Sequence, residues 1–410
     1  MSDADDGRLG PEVGAAALRA LRGLLHAAHE AQVDDLPGLV HDAAVTMGAT
    51  AATVYVVDYD LVELVPLGRH AHSGRGSLPI AGTLGGRAFA ESVVLVAGDG
   101  PVTSWVPLCN GIERVGVLEV TASSSSLPED VLALLSDLVA QLLVTRSSVG
   151  DMVETTRRRG PMALEAEMQW KLLPPLSFAT PAVSISGLLV PANEVAGDSF
   201  DYAMNGDVLH VALIDAMGHG LSASLLASLI LSAYRNGRRS GLELTHVVRS
   251  IDKFVSARFD GAFATAVVAE LDVRTGVYRW VNCGHLPVLL VRDGRVVKTF
   301  EEPVNMPLGL QGSGELDVGE ERLERDDRVL MYSDGVVEAR DVHGEWFGTD
   351  RLVDQVMKVS SAGLPAAETM RRLVHGILAH QAGDLQDDAT AVLIEWRERT
   401  SSAGAAAPSA

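Results

Sequence analysis

The sequence has few cysteines and few cations, and each shortage excludes a class of protein. Only Cys109 and Cys283 occur among 410 residues, and no Cys-x-x-Cys pair exists, so a zinc knuckle or a dithiol redox motif is excluded. Two buried thiols in a reducing compartment are expected instead. The 33 Lys and Arg are outnumbered by 54 Asp and Glu, which gives a formal net charge of −21. Such a chain is poorly suited to binding nucleic acid or anionic lipid, because both need clustered cations.

The sequence also lacks long apolar runs. No stretch of about 18 apolar residues is present, so no membrane-spanning helix is expected. The first ten residues, MSDADDGRLG, are acidic and polar, which does not fit a signal peptide. A cytoplasmic protein without membrane contact is the expectation from these two features.

The length predicts two or three domains, and the patterning of strands and helices predicts the α+β class. Polar or small residues at 1–14 and 399–410 predict disordered tails. Residues 15–145 show a helical pattern, then short β-rich runs bounded by Gly, Asp and Pro, then a second helical pattern. Residues 176–398 alternate strands and helices, with several hairpins.

A helical connector is predicted between the two domains, at residues 146–175. It is interrupted at Gly160–Pro161 and carries an apolar stripe that includes Leu164 and Met168. Such a stripe is typical of a core or of a dimer seam, so a homodimer is one of two interpretations.

Four short stretches place an aspartate at the edge of a strand-like run. They are NEVAGDSFDY at 193–202, IDAMGHG at 214–220, MYSDGVVEA at 331–339 and QDDATAVLI at 386–394. Any one of these aspartates alone is better interpreted as a cap or turn residue, because Asp is common there. Four together favour a metal site, because a divalent cation removes the repulsion between clustered carboxylates. Ligand sets made only of oxygen favour Mg²⁺ or Mn²⁺.

The first two stretches can be related through a hairpin. Asn205–Gly206 is a strong signal for a two-residue turn. If the turn is type I′, Asp198 lies opposite Leu213, and Asp215 is its diagonal neighbour on the same face, roughly 7–8 Å away. This register predicts that two carboxylates converge, unless a bulge shifts it.

Both parts of the chain resemble known families. Residues 15–145 resemble a GAF domain in element order and in the segment SLPIAGTLGGRAF. Residues 161–397 resemble the SpoIIE-type branch of the type 2C metal-dependent phosphatases, through the opening helix MALEAEMQWKLLPP and the motifs EVAGDSFDY, DAMGHG, NCGHLPVLLV, YSDGVVEA and DDATAVLI in the family's order. The fold implied is a GAF-like antiparallel sheet with helices, followed by an α-β-β-α sandwich.

The second resemblance implies a set of site residues. The expected ligands of two Mn²⁺ or Mg²⁺ ions are Asp198, Asp215, Asp334 and Asp387, with the carbonyl of Ala216. Residues expected beside the metals, or left open, are Asp388, Gly218, His219 and Gly335. The chain departs from the family at Ala196, where Gly is usual, and no arginine is clearly placed to hold the substrate phosphate. His219 is open between general acid and turn residue, His285 is interpreted as a loop residue, and Trp280 and Tyr332 as core.

The function implied by the resemblance is hydrolysis of phosphoserine or phosphothreonine by water activated between two metal ions. The implied partner is a phosphorylated anti-sigma-factor antagonist of the STAS fold, and a ligand of the GAF-like domain stays unknown. Two other classes stay open. One is a pseudo-phosphatase that acts as a phosphoprotein-binding scaffold. The other is a Mg²⁺-dependent nucleotide enzyme, which the absence of a GxxxxGK[ST] loop disfavours.

Overall fold

The computed structural model describes residues 11–68, 76–123, 125–190, 197–361, 365–381 and 387–397. The chain divides into two compact units, Met1–Pro161 and Met162–Ala410. The α+β class is confirmed, because helices cover sheets in each unit. Among the described helices, none is long and apolar enough to cross a membrane.

The first unit is built on one antiparallel sheet of six strands in the order β3-β2-β1-β6-β5-β4. Its helices are α1 (Pro11–Glu30), α2 (Leu36–Thr46), α3 (Leu84–Glu91), α4 (Glu129–Ser147) and α5 (Met152–Arg157). Its strands are β1 (Ala51–Val57), β2 (Glu63–Pro66), β3 (Leu78–Pro79), β4 (Leu95–Ala97), β5 (Val102–Asn110) and β6 (Glu113–Ala122). A short 3₁₀ turn, Val33–Asp35, precedes α2.

The two faces of this sheet are covered differently. Apolar residues of α1, α2 and α4 form a core with one face, because alternate strand residues such as Val54 and Leu118 point toward them. Helix α3 covers the other face, where its Phe89 lies in one apolar cluster with Tyr55 and Trp105 of the sheet. This helix-covered antiparallel sheet agrees with the predicted secondary structure, and the GAF assignment itself stays a prediction.

The second unit has two six-stranded sheets that share a core. Its helices are α6 (Leu164–Leu172), α7 (Gly220–Arg239), α8 (Leu244–Arg258), α9 (Asp334–Val337), α10 (Gly348–Ser361) and α11 (Ala366–His380). Its strands are β7 (Ser177–Ala179), β8 (Val183–Val190), β9 (Asp198–Asn205), β10 (Val208–Ala216), β11 (Ala264–Asp272), β12 (Val277–Cys283), β13 (Val288–Arg292), β14 (Arg295–Phe300), β15 (Val304–Asn305), β16 (Gly319–Arg322), β17 (Arg328–Tyr332) and β18 (Ala389–Trp396).

The layers of this unit follow the order helix, sheet, sheet, helix. One sheet runs β15-β12-β11-β10-β9, with β16 also paired to β12, and the other runs β14-β13-β17-β18-β8-β7. Phe200, Trp280 and Ile394 lie in the apolar core between the two sheets. Helices α7 and α8 cover the outer face of the first sheet, and α10 and α11 cover that of the second. The predicted α-β-β-α sandwich is therefore present, and Trp280 and Tyr332 are buried core residues as predicted.

The predicted register of the β9–β10 hairpin is wrong by two residues. Asn205 pairs with Val208, so the two-residue loop is Gly206–Asp207 and not Asn205–Gly206. Gly206 has a φ of 61°, which a type II′ turn requires at its first central position. The shift by an even number keeps each side chain on its predicted face.

The predicted connector spans the division between the units. Helix α5 ends at Arg157 and belongs to the first unit, whereas α6 begins at Leu164 and belongs to the second. Leu164 of the predicted apolar stripe is 59% exposed, and Ala166 and Gln169 are buried instead. The domain limits drawn from the sequence, like the disordered tails, stay predictions.

Candidate metal centre

Asp198 and Asp215 face each other across the β9–β10 hairpin. The corrected register makes them direct cross-strand partners, and such partners have Cβ atoms about 4.5–5.5 Å apart. Asp198 is 3% exposed, and its Oδ2 has no hydrogen-bond partner among the described residues. A buried carboxylate oxygen without a donor is costly, so this pair needs a cation or a proton.

The electrostatics of the pair point the same way. Burial, followed by repulsion from Asp215 and Asp388, raises the pKa of Asp198 well above its ordinary value. Burial, followed by repulsion from Asp334, raises the pKa of Asp215 to about 6, and Asp387 and Asp388 add to the repulsion. The structure therefore brings all five predicted aspartates close enough to repel one another.

Asp334 and Asp387 come from neighbouring strands of the second sheet. Asp334 opens α9 directly after β17, and Asp387 precedes β18, which pairs with β17. Burial, and then repulsion from Asp334, raises the pKa of Asp387. The backbones approach closely here, because a Cβ on Gly335 would lie 2.0 Å from the Asp388 carbonyl oxygen. Gly335 thus permits the approach of the two strand ends, which is a packing role.

Asp388 has a different environment from Asp387. Asp388 is 2% exposed, and its Oδ2 accepts hydrogen bonds from Gly197 N at 3.0 Å and Gln169 Nε2 at 2.9 Å. Asp387 is exposed. One oxygen of Asp388 is therefore occupied by protein donors, which supports the prediction that Asp387 is the ligand and Asp388 its neighbour.

The segment after β10 carries the remaining predicted residues. Ala216 ends β10, and its N–H donates to Gly197 O at 3.0 Å, which ties it to the segment before Asp198. Gly218 follows in the turn, and His219 is the residue before α7, where its exposed side chain makes no capping hydrogen bond. These contacts agree with the interpretation of His219 as a turn residue and leave a role as general acid as a proposal.

The motif residue Ala196 and the rest of 193–196 lie outside the described residues, as does Gln386. The expectation drawn from Ala196, where the family usually has Gly, therefore remains a prediction from the sequence.

Three residues of the site were missed from the sequence. Gln169 of α6 donates to both Asp198 O and Asp388 Oδ2, each at 2.9 Å. Thr265 lies opposite Asp215 on β11, and its Oγ1 is 3.3 Å from Asp215 Oδ2. The Ser333 hydroxyl accepts from Thr390 N at 3.0 Å and so joins β17 to β18. Gln169 alone left a signal, as a polar residue on the buried face of a helix.

His285 is part of the same network, although its sequence suggests only a loop residue. Its Nδ1 is 2.8 Å from Thr265 Oγ1, and the side chain is 8% exposed. Burial lowers the pKa of His285 to about 4, an effect that the Tyr332 backbone opposes only in part. The ring is therefore neutral at pH 7.

The donors present suit Mg²⁺ or Mn²⁺ ions that keep several water ligands, and they do not form a complete set of protein ligands around one ion. Among the described residues, no three His, Cys, Asp or Glu side chains converge on one point as a ready ligand set. Mg²⁺ does not need one, because it usually keeps several waters and takes one or two carboxylates. The orphaned Asp198 Oδ2 and the mutually repelling aspartates supply such donors without any sulfur or imidazole.

Comparison with known proteins finds relatives of the second unit. Residues 205–397 match the family model of stage II sporulation protein E, SpoIIE. The chain is 24% identical to the phosphoserine phosphatase RsbU of Bacillus subtilis over 277 residues, which are 66% of this chain and 81% of RsbU. It is 25% identical to stage II sporulation protein E of Priestia megaterium over 209 residues, 50% of this chain but only 34% of that protein.

A solved structure is also similar. The RsbU and RsbW domains of Rv1364c from Mycobacterium tuberculosis share 27% sequence identity with the chain, with a TM-score of 0.47, over 54% of this chain and 62% of that one.

Proposed function

We propose that the second unit, whose residues 205–397 match the family model of stage II sporulation protein E, is a SpoIIE-type metal-dependent phosphatase of the PP2C class that hydrolyses phosphoserine or phosphothreonine on a partner protein. The observation that carries the proposal is the direct pairing of Asp198 with Asp215 beside the strand ends that bear Asp334 and Asp387.

The proposed ligands are Asp198, Asp215, Asp334 and Asp387, with the Ala216 carbonyl. Bound Mn²⁺ or Mg²⁺ ions, two in number, would supply the Lewis acidity that lowers the pKa of a water and neutralises phosphate charge. The chain itself fixes the donors: β9 and β10 hold one pair of carboxylates, and β17 and β18 bring the other pair to them. Asp388 and Gln169 hold the backbone before and at Asp198.

The proposed substrate is a phosphorylated anti-sigma-factor antagonist of the STAS fold. The support for it is the similarity to RsbU, a phosphoserine phosphatase, over most of that protein's length. The contrasting hypothesis is a silent scaffold that binds a phosphoprotein without turnover. The intact set of aspartates disfavours it, because binding alone has no need of metal ligands that repel one another.

Regulation by the first unit is part of the proposal. Helix α6 is the first element of the second unit along the chain, and its Gln169 holds Asp388 and the Asp198 backbone directly. A small movement of α6 would therefore change the arrangement of the carboxylates. A homodimer is one of the two interpretations of the apolar stripe in the connector, the other being a core contact within one chain.

The test is hydrolysis of p-nitrophenyl phosphate by the purified full chain with Mn²⁺, Mg²⁺ or EDTA. Turnover that requires the metal is expected, and Asp215→Asn should reduce kcat by at least about 100-fold because a ligand is lost. Asp207→Asn is the matched control, since this exposed aspartate lies in the turn of the same hairpin.

Full activity of the Asp215→Asn variant would overturn the assignment. Absence of turnover with every metal, together with tight binding of a phosphoprotein, would favour the scaffold.

A further inference from the structure

A line of polar groups runs from the half-buried Asp215 through the half-buried Thr265 to the buried His285. Asp215 Oδ2 is 3.3 Å from Thr265 Oγ1, which in turn is 2.8 Å from His285 Nδ1. Thr265 and Asp215 are direct partners in the β10–β11 ladder. The line therefore begins at a predicted metal ligand and ends at the buried imidazole of His285.

The loop that carries His285 is held in one conformation. Asn282, which is 1% exposed, accepts from His285 N at 2.7 Å and donates to His285 O at 3.0 Å. Gly284 forms a bridge with Ala266, next to Thr265. Three neighbouring contacts thus fix the backbone of His285 relative to β11, and so they fix its ring against the Thr265 hydroxyl.

The direction of the hydrogen bonds follows from the chemistry of the groups. An ionised carboxylate only accepts, so the single hydroxyl proton of Thr265 is donated to Asp215 when Asp215 is ionised. The Thr265 oxygen then accepts from His285, which places the ring proton on Nδ1.

On this geometry, and resting on the proposed function, we infer that Thr265 and His285 are positioning residues that orient the Asp215 carboxylate for metal binding. The Thr265 hydroxyl fixes which oxygen of Asp215 is free for the metal, and His285 fixes the direction of that hydroxyl. Neither residue is among the proposed metal ligands. Groups that orient a metal ligand in this way typically contribute 10–100-fold to metal affinity.

The experiment measures Mn²⁺ binding to the full chain by isothermal titration calorimetry at pH 7.5, with and without substitutions at Thr265. Thr265→Val keeps the shape but loses the hydroxyl, and it should weaken Mn²⁺ binding about 10-fold or more. Thr265→Ser keeps the hydroxyl and should stay within about threefold of wild type. Melting of both variants in EDTA should match wild type, which separates positioning from folding.

A second pair of variants tests the histidine. His285→Asn retains a donor near the position of Nδ1 and should preserve most of the Mn²⁺ affinity, whereas His285→Leu should lower it as Thr265→Val does. The KM for Mn²⁺ should rise in the weak binders more than kcat falls at saturating metal.

The outcomes separate this inference from the proposed function. Wild-type affinity in Thr265→Val, or equal losses in Thr265→Ser and Thr265→Val, would overturn the positioning role while leaving the phosphatase proposal intact. Absence of Mn²⁺ binding by the wild-type chain would overturn the proposed function and, with it, this inference.

Discussion

The raised pKa of Asp215 makes the metal-free fold less stable at neutral pH than at acidic pH. Its pKa of about 6 in the folded chain lies above the ordinary 3.8, because burial and then Asp334 disfavour the charged form. The stability associated with the protonated form is present below pH 3.8 and is lost as the pH rises through about 6. Above pH 6, the metal-free fold therefore holds an ionised Asp215 at a cost of at most about 3 kcal/mol.

We expect Asp215→Asn to be more stable than wild type in EDTA at pH 7.5, because the neutral amide removes this cost. The measurement is thermal melting at pH 5 and pH 7.5, and the gap between the two proteins should widen at the higher pH. Added Mn²⁺ should raise the melting temperature of wild type more than that of the variant. An equal difference in melting temperature at both pH values would contradict the proposal that the ionised Asp215 carboxylate destabilises the metal-free fold.

At the residue scale, the sequence was informative where a residue has a local signature. Asp198, Asp215 and Asp334 were found because each stands at a strand end next to a turn, and the structure brings them together. Thr265 could not be found in this way, because β11 reaches β10 only after two intervening helices. Which residue of β11 lies opposite Asp215 depends on packing of the whole sheet.

At the element scale, the β9–β10 hairpin shows how well turn residues alone predict the register of two strands. The Asn-Gly signal located the turn to within one residue, and the observed loop Gly206–Asp207 also satisfies a two-residue hairpin. In the register that the fold adopts, Phe200 and Leu213 are direct partners and both are fully buried. Local propensity could not decide this, because the cores on both sides of the sheet contribute.

Helix α6 is the element through which a change outside the site would act on it. Gln169→Met keeps the length of the side chain but removes the donor to Asp388 and to the Asp198 carbonyl. We expect the KM for Mn²⁺ to rise about 10-fold, because Asp388 and the Asp198 backbone lose a shared anchor. Steady-state phosphatase assays over a Mn²⁺ titration measure this.

The control for this variant lies on the same helix. Leu164→Ala changes a side chain that is 59% exposed, so it should leave the KM for Mn²⁺ unchanged. Equal effects of the two substitutions would mean that α6 acts through its general stability and not through Gln169.

At the scale of the whole molecule, the layers of sheets and helices could be predicted. The assignment of α5 to the first unit and of α6 to the second could not. Apolar periodicity predicted strands and helices in both parts of the chain, the family resemblances implied an antiparallel sheet with helices and then a sandwich, and the structure has both. The apolar stripe assigned to the connector is core only at its end: Leu172 and Leu173 pack against the cores of the second unit, whereas Leu164 is exposed and Gln169 is buried. Apolar periodicity shows that a helix has a buried face. It cannot predict that a polar residue such as Gln169 is buried, because that burial requires hydrogen-bond partners elsewhere in the fold.

The second unit has its own cores between and outside its sheets, so residues 162–410 should fold without the first unit. We expect this fragment to melt cooperatively and to gain stability from Mn²⁺, because every proposed ligand lies within it. If the first unit acts through α6, the fragment and the full chain should differ in kcat or in the KM for Mn²⁺. Thermal melting establishes that the fragment folds, and the same phosphatase assay then compares the two proteins. A folded fragment with kinetics identical to those of the full chain would rule out control by the first unit in cis, whereas a difference that Gln169→Met abolishes would locate that control at α6.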